Sequence, residues 1–288
     1  MTPKPQTKSK RNCIIDIATT NVVSVPPTMR ILEGIETMSR NTFRRLPITD
    51  AGTKKLLGIV TVTDIIDLMG GGNRYNLVAK KHGGNLLSAL NDEIREIATE
   101  NVDTLTPSAT IREAARLLLD KGHGSFPILN ADTTLAGIVT EYDIMKVLVT
   151  KESDLLVSDI MTENPKVITP DVPISKVTKE MVTHGFRRLP VVKDGLLIGI
   201  ITATDIMKYI GGGRVFSTME NGTVDELLNL PTRDIMTAAD IRTVNADSTV
   251  NQVAKAMVEL GIGAFPVMEN HKLTGIITEA DLVKALAE

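Results

Sequence analysis

Short apolar runs alternate with amphipathic helical patterns along the chain, and one junction between them occurs four times. Each copy is a glycine, a β-branched run typical of a buried strand, and Thr-x-x-Asp at the start of an apolar-periodic helix. The copies occupy residues 58–64, 137–143, 199–205 and 275–281. The pattern predicts one strand-to-helix junction that is built four times.

Each junction closes a predicted β-α-β-β-α unit. In the first unit we expect strands over 22–25, 44–48 and 56–60 and helices over 29–38 and 63–69. Equivalent units cover 102–149, 166–210 and 241–286, with a linker over 73–91 and a short helix over 92–99 before the second unit. The predicted fold class is α+β. A unit of about 50 residues buries too little core to be stable alone, so the units should pack in pairs.

Two features divide the four units into two pairs. The first and third units carry Arg-Arg-Leu-Pro at 44–47 and 187–190 and a triple glycine at 70–72 and 211–213. The second and fourth carry Gly-Ser-Phe-Pro at 124–127 and Gly-Ala-Phe-Pro at 263–266. The junction aspartates lie 141 residues apart in the odd units and 138 apart in the even units, so a tandem pair has been duplicated. We divide the chain into a flexible basic tail (1–12), unit 1 (13–72), linker and unit 2 (73–150), unit 3 (151–213), and linker and unit 4 (214–288).

Composition narrows the class of partner. The chain has 288 residues, 42% of them hydrophobic, a formal net charge of −3, a single cysteine and no tryptophan. An acidic chain with few aromatic side chains lacks the usual features of a nucleic-acid binder. No apolar run reaches the length of about 18 residues needed to span a membrane, and the N-terminus has no signal-peptide core. We therefore expect a cytoplasmic protein that does not bind membranes or, as its main role, nucleic acid.

The repeated Thr-x-x-Asp has two explanations. As a capping box, the threonine hydroxyl caps a backbone amide and the aspartate reaches back to the start of the helix. The same geometry suits a nucleotide, because a helix N-terminus attracts phosphate and an aspartate one turn in can accept hydrogen bonds from ribose hydroxyls. The residues alone leave both explanations open.

The arginine pairs favour an anionic ligand. A charge-assisted hydrogen bond from arginine to phosphate contributes about 1.5–3 kcal/mol. Adjacent residues of a strand point to opposite faces, so Arg44 and Arg45 should not serve one phosphate equally, and the same holds for Arg187 and Arg188. We expect at least one arginine of each pair to contact a ligand anion, and the other is available for a salt bridge on the surface or between repeats.

Taken together, the units resemble cystathionine-β-synthase (CBS) domains, each of which ends in Gly-hydrophobic-hydrophobic-Thr-x-x-Asp. Two tandem pairs (Bateman modules) resemble the regulatory gamma subunit of AMP-activated protein kinase and its stand-alone archaeal relatives. The resemblance covers the chain after the tail. It implies two modules packed as a disc, with up to four adenosine-nucleotide sites between paired domains and phosphates directed to the centre.

The resemblance also implies roles by position. The ribose hydroxyls would be bound by Asp64, Asp143, Asp205 and Asp281. The phosphate side would hold Thr61, Thr140, Thr202, Thr278, Arg44, Arg45, Arg187 and Arg188. Adenine would lie against backbone near Thr19, Val22, Val102, Thr162, Lys166 and Ile241. The ligand would be AMP, ADP or ATP, with no catalytic cofactor and no metal, and the chain would be a non-enzymatic sensor that regulates a partner protein. A homodimer is a further possibility that the sequence does not decide.

Some features depart from the family pattern. The even units lack the basic pair and place Glu141 and Glu279 beside the threonine, where an inward carboxylate would repel phosphate. Three alternatives are S-adenosylmethionine or a related thioether as ligand, nucleic acid bound by the basic tail, and an ATP-hydrolysing enzyme. The last is opposed by the absence of a phosphate-binding glycine loop or a serine-nucleophile elbow. The histidines have no chelating spacing: His82, His123, His184 and His271.

Overall fold

The computed structural model describes residues 13–70, 72–150 and 153–287. The predicted basic tail lies outside the described residues. The first repeat consists of helix α1 (Ile31–Asn41), strands β1 (Arg45–Thr49) and β2 (Leu56–Thr61), and helix α2 (Val62–Leu68). Helix α1 buries Ile31, Ile35 and Met38 because their spacing of four and three places them on one face.

The remaining elements repeat this plan. A helix α3 (Leu86–Leu90) leads to the second repeat, which contains α4 (Ile111–Lys121), β3 (Ser125–Leu129), β4 (Leu135–Thr140) and α5 (Glu141–Leu148). The third repeat contains α6 (Val157–Ile160), β5 (Thr162–Glu163), α7 (Ile174–His184), β6 (Arg188–Lys193), β7 (Leu196–Thr202) and α8 (Ala203–Gly211). Helices α9 (Arg214–Thr218) and α10 (Val224–Leu228) precede the fourth repeat, which contains β8 (Val244–Asn245), α11 (Val250–Leu260), β9 (Ala264–Glu269), β10 (Lys272–Thr278) and α12 (Glu279–Ala287). The α+β prediction is confirmed.

The predicted first strand of each unit is mostly absent, and this expectation was wrong for three repeats. The segments at 22–25, 102–105 and 166–168 each form a single parallel bridge, as Val25 does with Ile48. Val25 donates to the carbonyl of Pro47 and accepts from the amide of Thr49. The next ladder bond would need an N–H on Pro47, which proline lacks. The second and third repeats have a proline at the equivalent position, Pro127 and Pro190, so the ladder cannot extend towards the N-terminus of the segment. The fourth repeat has Pro266 there and extends its ladder in the other direction, from Val244 to Asn245.

The linkers contain more helix than expected. The segment predicted as linker (73–91) includes a π-helix (Leu77–Lys81) and α3, and the predicted lead-in helix at 92–99 is a 3-10 helix of four residues (Ile94–Ile97). Helices α3 and α10 meet where the backbone of Leu86 donates to Gly222 and that of Val224 donates to Gly84. These segments therefore belong to the packed structure.

Two hydrophobic cores cross the boundary between the halves of the chain. One core joins the first and third repeats, with α1 and α2 packed on α8 and α2 on α7; the other joins the second and fourth, with α12 packed on α4 and α5. Gly211 permits the close contact of α8 with α1, since a Cβ there would lie 2.9 Å from the Cβ of Ser39. Burial of these apolar faces is the dominant stabilising contribution to the association of the halves.

Within each half, tandem repeats exchange their lead-in segments. Thr19, ahead of the first repeat, bridges to Ile138 on β4, and Thr99, ahead of the second, bridges to Ile59 on β2. The second half does the same, because β5 pairs with β10 and Thr237 bridges to Ile200. Each repeat thus contacts its tandem partner through backbone and its counterpart in the other half through helices, which closes the four repeats into a ring.

Candidate functional site

The four junctions form complete capping boxes. Thr61 donates from both its amide and its hydroxyl to Oδ2 of Asp64, at 2.7 Å each, while the Asp64 amide donates to the threonine hydroxyl. The other three junctions have the same three hydrogen bonds. The capping explanation is therefore confirmed. Each threonine hydroxyl donates its hydrogen bond to the aspartate.

One carboxylate oxygen of each aspartate, Oδ1, stays outside the box. In Asp143 and Asp281 this oxygen has no further partner among the described residues. In Asp205 it accepts a long hydrogen bond of 3.4 Å from the Thr237 hydroxyl. A capping box therefore does not exclude ligand binding, because it orients the carboxylate and leaves an acceptor for a ribose hydroxyl.

Asp64 differs from the other three. Its Oδ1 lies 2.8 Å from Nη2 of Arg74, which also donates to the Ile97 carbonyl and to the Thr99 hydroxyl. Both oxygens of Asp64 are thus occupied by groups of the chain itself. Arg74 was absent from the residues predicted from the sequence, because its place after the triple glycine carries no motif.

Burial raises the pKa of all four junction carboxyls. The hydrogen bonds from the threonines, and Arg74 in the case of Asp64, oppose this effect without cancelling it. A raised pKa means that the unbound site holds its negative charge at a cost. Donors such as ribose hydroxyls would relieve that cost.

The junction glycine is required by the lead-in segment of the paired repeat. A Cβ on Gly58 would lie 2.9 Å from the Thr99 carbonyl oxygen, and one on Gly199 would lie 3.1 Å from that of Thr237. Gly137 and Gly275 face Thr19 and Thr162 in the same way. The glycine thus admits the backbone that the sequence analysis linked to adenine. Thr19 and Thr162 were predicted there, whereas Thr99 and Thr237 were missed although the 138-residue repeat offset relates them.

Two cavities of nucleotide size lie in the second half. The Asp281 cavity, of about 480 Å³, gathers Thr278 and Asp281 with the lead-in residues Thr162 and Lys166. The Asp205 cavity, of about 350 Å³, gathers Thr202 and Asp205 with Thr237 and Ile241. These volumes fall within the usual range for small-molecule sites. Of the predicted phosphate residues, Arg187 and Arg188 line both cavities and Arg44 lines the Asp205 cavity.

Two arginines form ion pairs across the centre of the ring. Arg44 of the first repeat holds Glu279 of the fourth through two hydrogen bonds of 3.0 and 3.1 Å. Arg187 of the third repeat holds Glu141 of the second at 3.1 and 3.3 Å. The glutamate side chains are nearly buried, 4% and 8% exposed. These are the inter-repeat ion pairs that the sequence left open, and they turn both glutamates towards the arginines.

Their sequence neighbours have no such partner. Arg45 and Arg188 are half-buried, and neither has a hydrogen-bond or ion-pair partner among the described residues. Burial and the nearby arginines lower the pKa of Arg45 to about 9 and that of Arg188 to about 10. Two cations without an ion-pair partner among the described residues therefore lie beside the two ion pairs, where an anion would be stabilised. We call these four arginines with Glu141 and Glu279 the central cluster.

Glycines in the even repeats make room for this cluster. A Cβ on Gly124 would meet the guanidinium of Arg45 and lie 2.9 Å from Nη1 of Arg187, and one on Gly263 would lie 2.8 Å from Oε1 of Glu279. The absence of basic residues at these positions thus has a structural reason. The odd repeats supply the arginines and the even repeats supply the space.

Within 13–70, 72–150 and 153–287, no group of three or more His, Cys, Asp or Glu side chains is placed to hold a metal ion. No helix in the same ranges is long and apolar enough to cross a membrane. Predicted residues Val22 and Val102 belong to the lead-in segments of the first half, which follow Thr19 and Thr99.

Four lead-in segments are exchanged between tandem repeats that share the α-β-β-α plan, and each segment lies against a Thr-x-x-Asp junction. This arrangement defines a CBS-domain protein. The CBS domain family matches residues 14–71, 94–150, 157–212 and 232–288, and the chain belongs to this family.

Comparisons with known proteins extend to the whole chain. Uncharacterized protein MJ1225 of Methanocaldococcus jannaschii is 42% identical over 268 residues, 92% of this chain and 95% of its own. Its crystal structure, described as that of a proposed archaeal homolog of g-AMPK, has a TM-score of 0.90 and 40% identity, and covers 95% of this chain and 99% of its own. The predicted resemblance is confirmed.

Two other relatives show how far the fold extends. The crystal structure of an uncharacterized conserved protein from Pyrococcus horikoshii shares the fold at a TM-score of 0.59 and 21% identity, covering 95% of this chain and 99% of its own. A homoserine O-acetyltransferase of Methanohalobium evestigatum is 35% identical over 118 residues, which are 41% of this chain and 24% of that enzyme. That match does not carry the enzyme's activity to this chain.

Proposed function

We propose that this chain is a regulatory module that binds adenine nucleotides, AMP, ADP or ATP, between its repeats and changes its affinity for a partner protein. One observation carries the proposal. Each cavity of the second half places a free or weakly held aspartate oxygen, the backbone of a lead-in segment and arginines of the central cluster around one space. The aspartate oxygen suits a ribose, the backbone of the lead-in segment suits an adenine, and the arginines suit a phosphate.

Regulation would follow from the position of the cavities. Arg44 and Arg187 tie together repeats from different halves of the chain, and the phosphates of a bound nucleotide would compete with the glutamates for these arginines. A ligand shifts an equilibrium by the difference in its affinity for the two states. Nucleotide binding would therefore change the packing between the halves, which is the change that a partner protein would detect.

The proposal assigns binding and not turnover. The aspartates, which are the obvious candidates for a general base, each commit Oδ2 to the capping box. Incubation with ATP should release no phosphate above the background of a heat-denatured sample. Steady release that disappears in Asp205→Ala would replace the proposal with an enzyme.

The test is calorimetric titration of nucleotide-stripped protein with AMP, ADP, ATP and S-adenosylmethionine in parallel. We expect binding of the phosphorylated nucleotides, weakened in Arg188→Met. Binding of S-adenosylmethionine alone, unchanged in Arg188→Met, would favour the thioether alternative. Binding of generic RNA with a steep dependence on salt, without binding of any nucleotide, would favour the nucleic-acid alternative.

A further inference from the structure

The four long helices that precede the hairpins end in the same way. Helices α1, α4, α7 and α11 are each followed by a residue in the left-handed conformation, namely Thr42, Gly122, Gly185 and Gly261, with φ between 57° and 68°. Glycine adopts this conformation at no steric cost, whereas a β-branched side chain such as that of threonine rarely does. The first repeat therefore has a strained residue at a position where the other three repeats have glycine.

Hydrogen bonds within the chain do not explain the strain at Thr42. Its amide donates to the carbonyl of Ser39 at 3.3 Å, which a glycine could do equally well. The residue is exposed, and its hydroxyl has no hydrogen-bond partner among the described residues. Strain of this kind costs free energy and is often found where a ligand is bound. The hydroxyl of Thr42 is thus available to a group outside the chain.

Thr42 lies at one of the two cavities of the second half. It lines the Asp205 cavity together with Arg44, which follows it by two residues, and with Arg242. Arg44 already donates two hydrogen bonds to Glu279. Thr42 therefore adds a neutral donor from the first repeat to a wall that already carries positive charge. A phosphate is the part of a nucleotide that such a wall attracts.

We propose that Thr42 binds the ligand of the Asp205 cavity, its hydroxyl donating a hydrogen bond to a phosphate oxygen. The inference rests on the proposed function and names a contact residue that the repeated Thr-x-x-Asp pattern does not include. Asp205 belongs to the third repeat and Thr42 to the first, so one nucleotide bound in this way joins the two halves of the chain. The hydrogen bond to the phosphate offsets the strain of the left-handed threonine, which explains why glycine does not occupy this position.

The experiment combines urea denaturation with calorimetric titration of the nucleotide-stripped full chain by AMP and by adenosine. Thr42→Gly should weaken AMP binding about threefold to tenfold, because one hydrogen bond is lost, and should leave adenosine binding unchanged. Its urea midpoint without ligand should not fall, because glycine adopts the left-handed conformation more easily. Thr42→Ser keeps the hydroxyl and should bind AMP as tightly as the wild type. Each variant is also measured in the Asp281→Ala background, which removes the ribose acceptor of the other cavity.

The matched control is Thr133→Gly. Thr133, in the exposed turn before β4, has a φ of 67° but lines neither cavity, so its replacement should leave the binding of both ligands unchanged. The inference is overturned if Thr42→Gly binds AMP as tightly as the wild type, if it weakens AMP and adenosine equally, or if Thr42→Ser is as weak as Thr42→Gly. Absence of heat with every adenine ligand in the wild-type chain would instead overturn the proposed function, and this assignment with it.

Discussion

Adjacent arginines in this chain have opposite roles in the folded state. Arg44 is held by the nearly buried Glu279, whereas Arg45, one residue later, has no partner among the described residues and its pKa is lowered to about 9. Arg44 immediately precedes β1, which begins at Arg45, and the two side chains meet different neighbours. That the two would differ could be predicted from the sequence, but the identity of Glu279 as partner, 235 residues away, could not.

This contrast predicts different effects of one substitution at neighbouring positions. Arg44→Met should destabilise the fold by about 1.5–3 kcal/mol, because it leaves a buried carboxylate without its donors. Arg45→Met should leave the stability unchanged or raise it, because it removes a half-buried charge that has no ion-pair partner among the described residues. Urea denaturation of both variants measures this. Equal loss of stability in the two would show that Arg45 is structural.

The raised pKa of Asp205 and Asp281 predicts how ligand binding depends on pH. The ionised carboxylate is the stronger acceptor for ribose hydroxyls, so affinity should fall as the pH falls through the carboxyl pKa. Because burial raises that pKa, the fall should begin at a higher pH than for an ordinary aspartate. Adenosine is the suitable ligand because it carries no titrating phosphate. Asp205→Asn with Asp281→Asn should flatten the profile, and an unchanged profile would separate these carboxyls from binding.

From the contact between Arg74 and Asp64 we predict that the first repeat contributes no nucleotide site. It occupies Oδ1 of Asp64 and is anchored by the Ile97 carbonyl, so a ribose would have to displace it. Asp64→Ala should therefore leave the number of bound nucleotides unchanged, whereas Arg74→Gln should add one. Calorimetric stoichiometry measures both. Loss of a site in Asp64→Ala would show that nucleotide displaces Arg74 readily.

At the scale of elements, helices and hairpins can be predicted from local sequence patterns. The predictions were wrong where tertiary contacts determine the secondary structure. Helix α1 was predicted over 29–38 and is observed at Ile31–Asn41, since its apolar spacing is a local signal. The first strand of three units was wrong, and a proline on the partner strand blocks its ladder on the N-terminal side, an effect that only pairing reveals. The linker helices were missed because α3 and α10 are stabilised by each other across the halves.

The exchanged lead-in segment predicts a specific cost for the junction glycine. Gly58→Ala should destabilise the protein by about 1–3 kcal/mol, because the added Cβ would lie 2.9 Å from the Thr99 carbonyl oxygen. That oxygen belongs to the backbone and cannot easily move away. Gly52→Ala, in the exposed turn before β2, is the matched control, since its Cβ would meet its nearest neighbour at 3.6 Å. Denaturation midpoints that are equal in the two variants would contradict the close approach.

At the scale of the whole molecule, the sequence pattern revealed the duplication but not which repeats pack against each other. Four similar amphipathic units could pair in several ways, and their apolar faces alone do not choose among them. The structure joins the first repeat to the third and the second to the fourth, and the ion pairs of Arg44 and Arg187 cross the remaining diagonals. The candidate sites therefore depend on all four repeats, although each aspartate was found from a seven-residue pattern.

The most direct test of the account is a crystal structure of the chain with AMP. We predict ribose hydroxyls within about 2.7–3.2 Å of a junction aspartate, at Asp281 or Asp205, with adenine against the lead-in segment of the tandem partner and the phosphate towards Arg188. AMP bound away from both aspartates, or a ribose directed to solvent while the phosphate alone is held, would contradict the central claim that the capping aspartates are ribose acceptors.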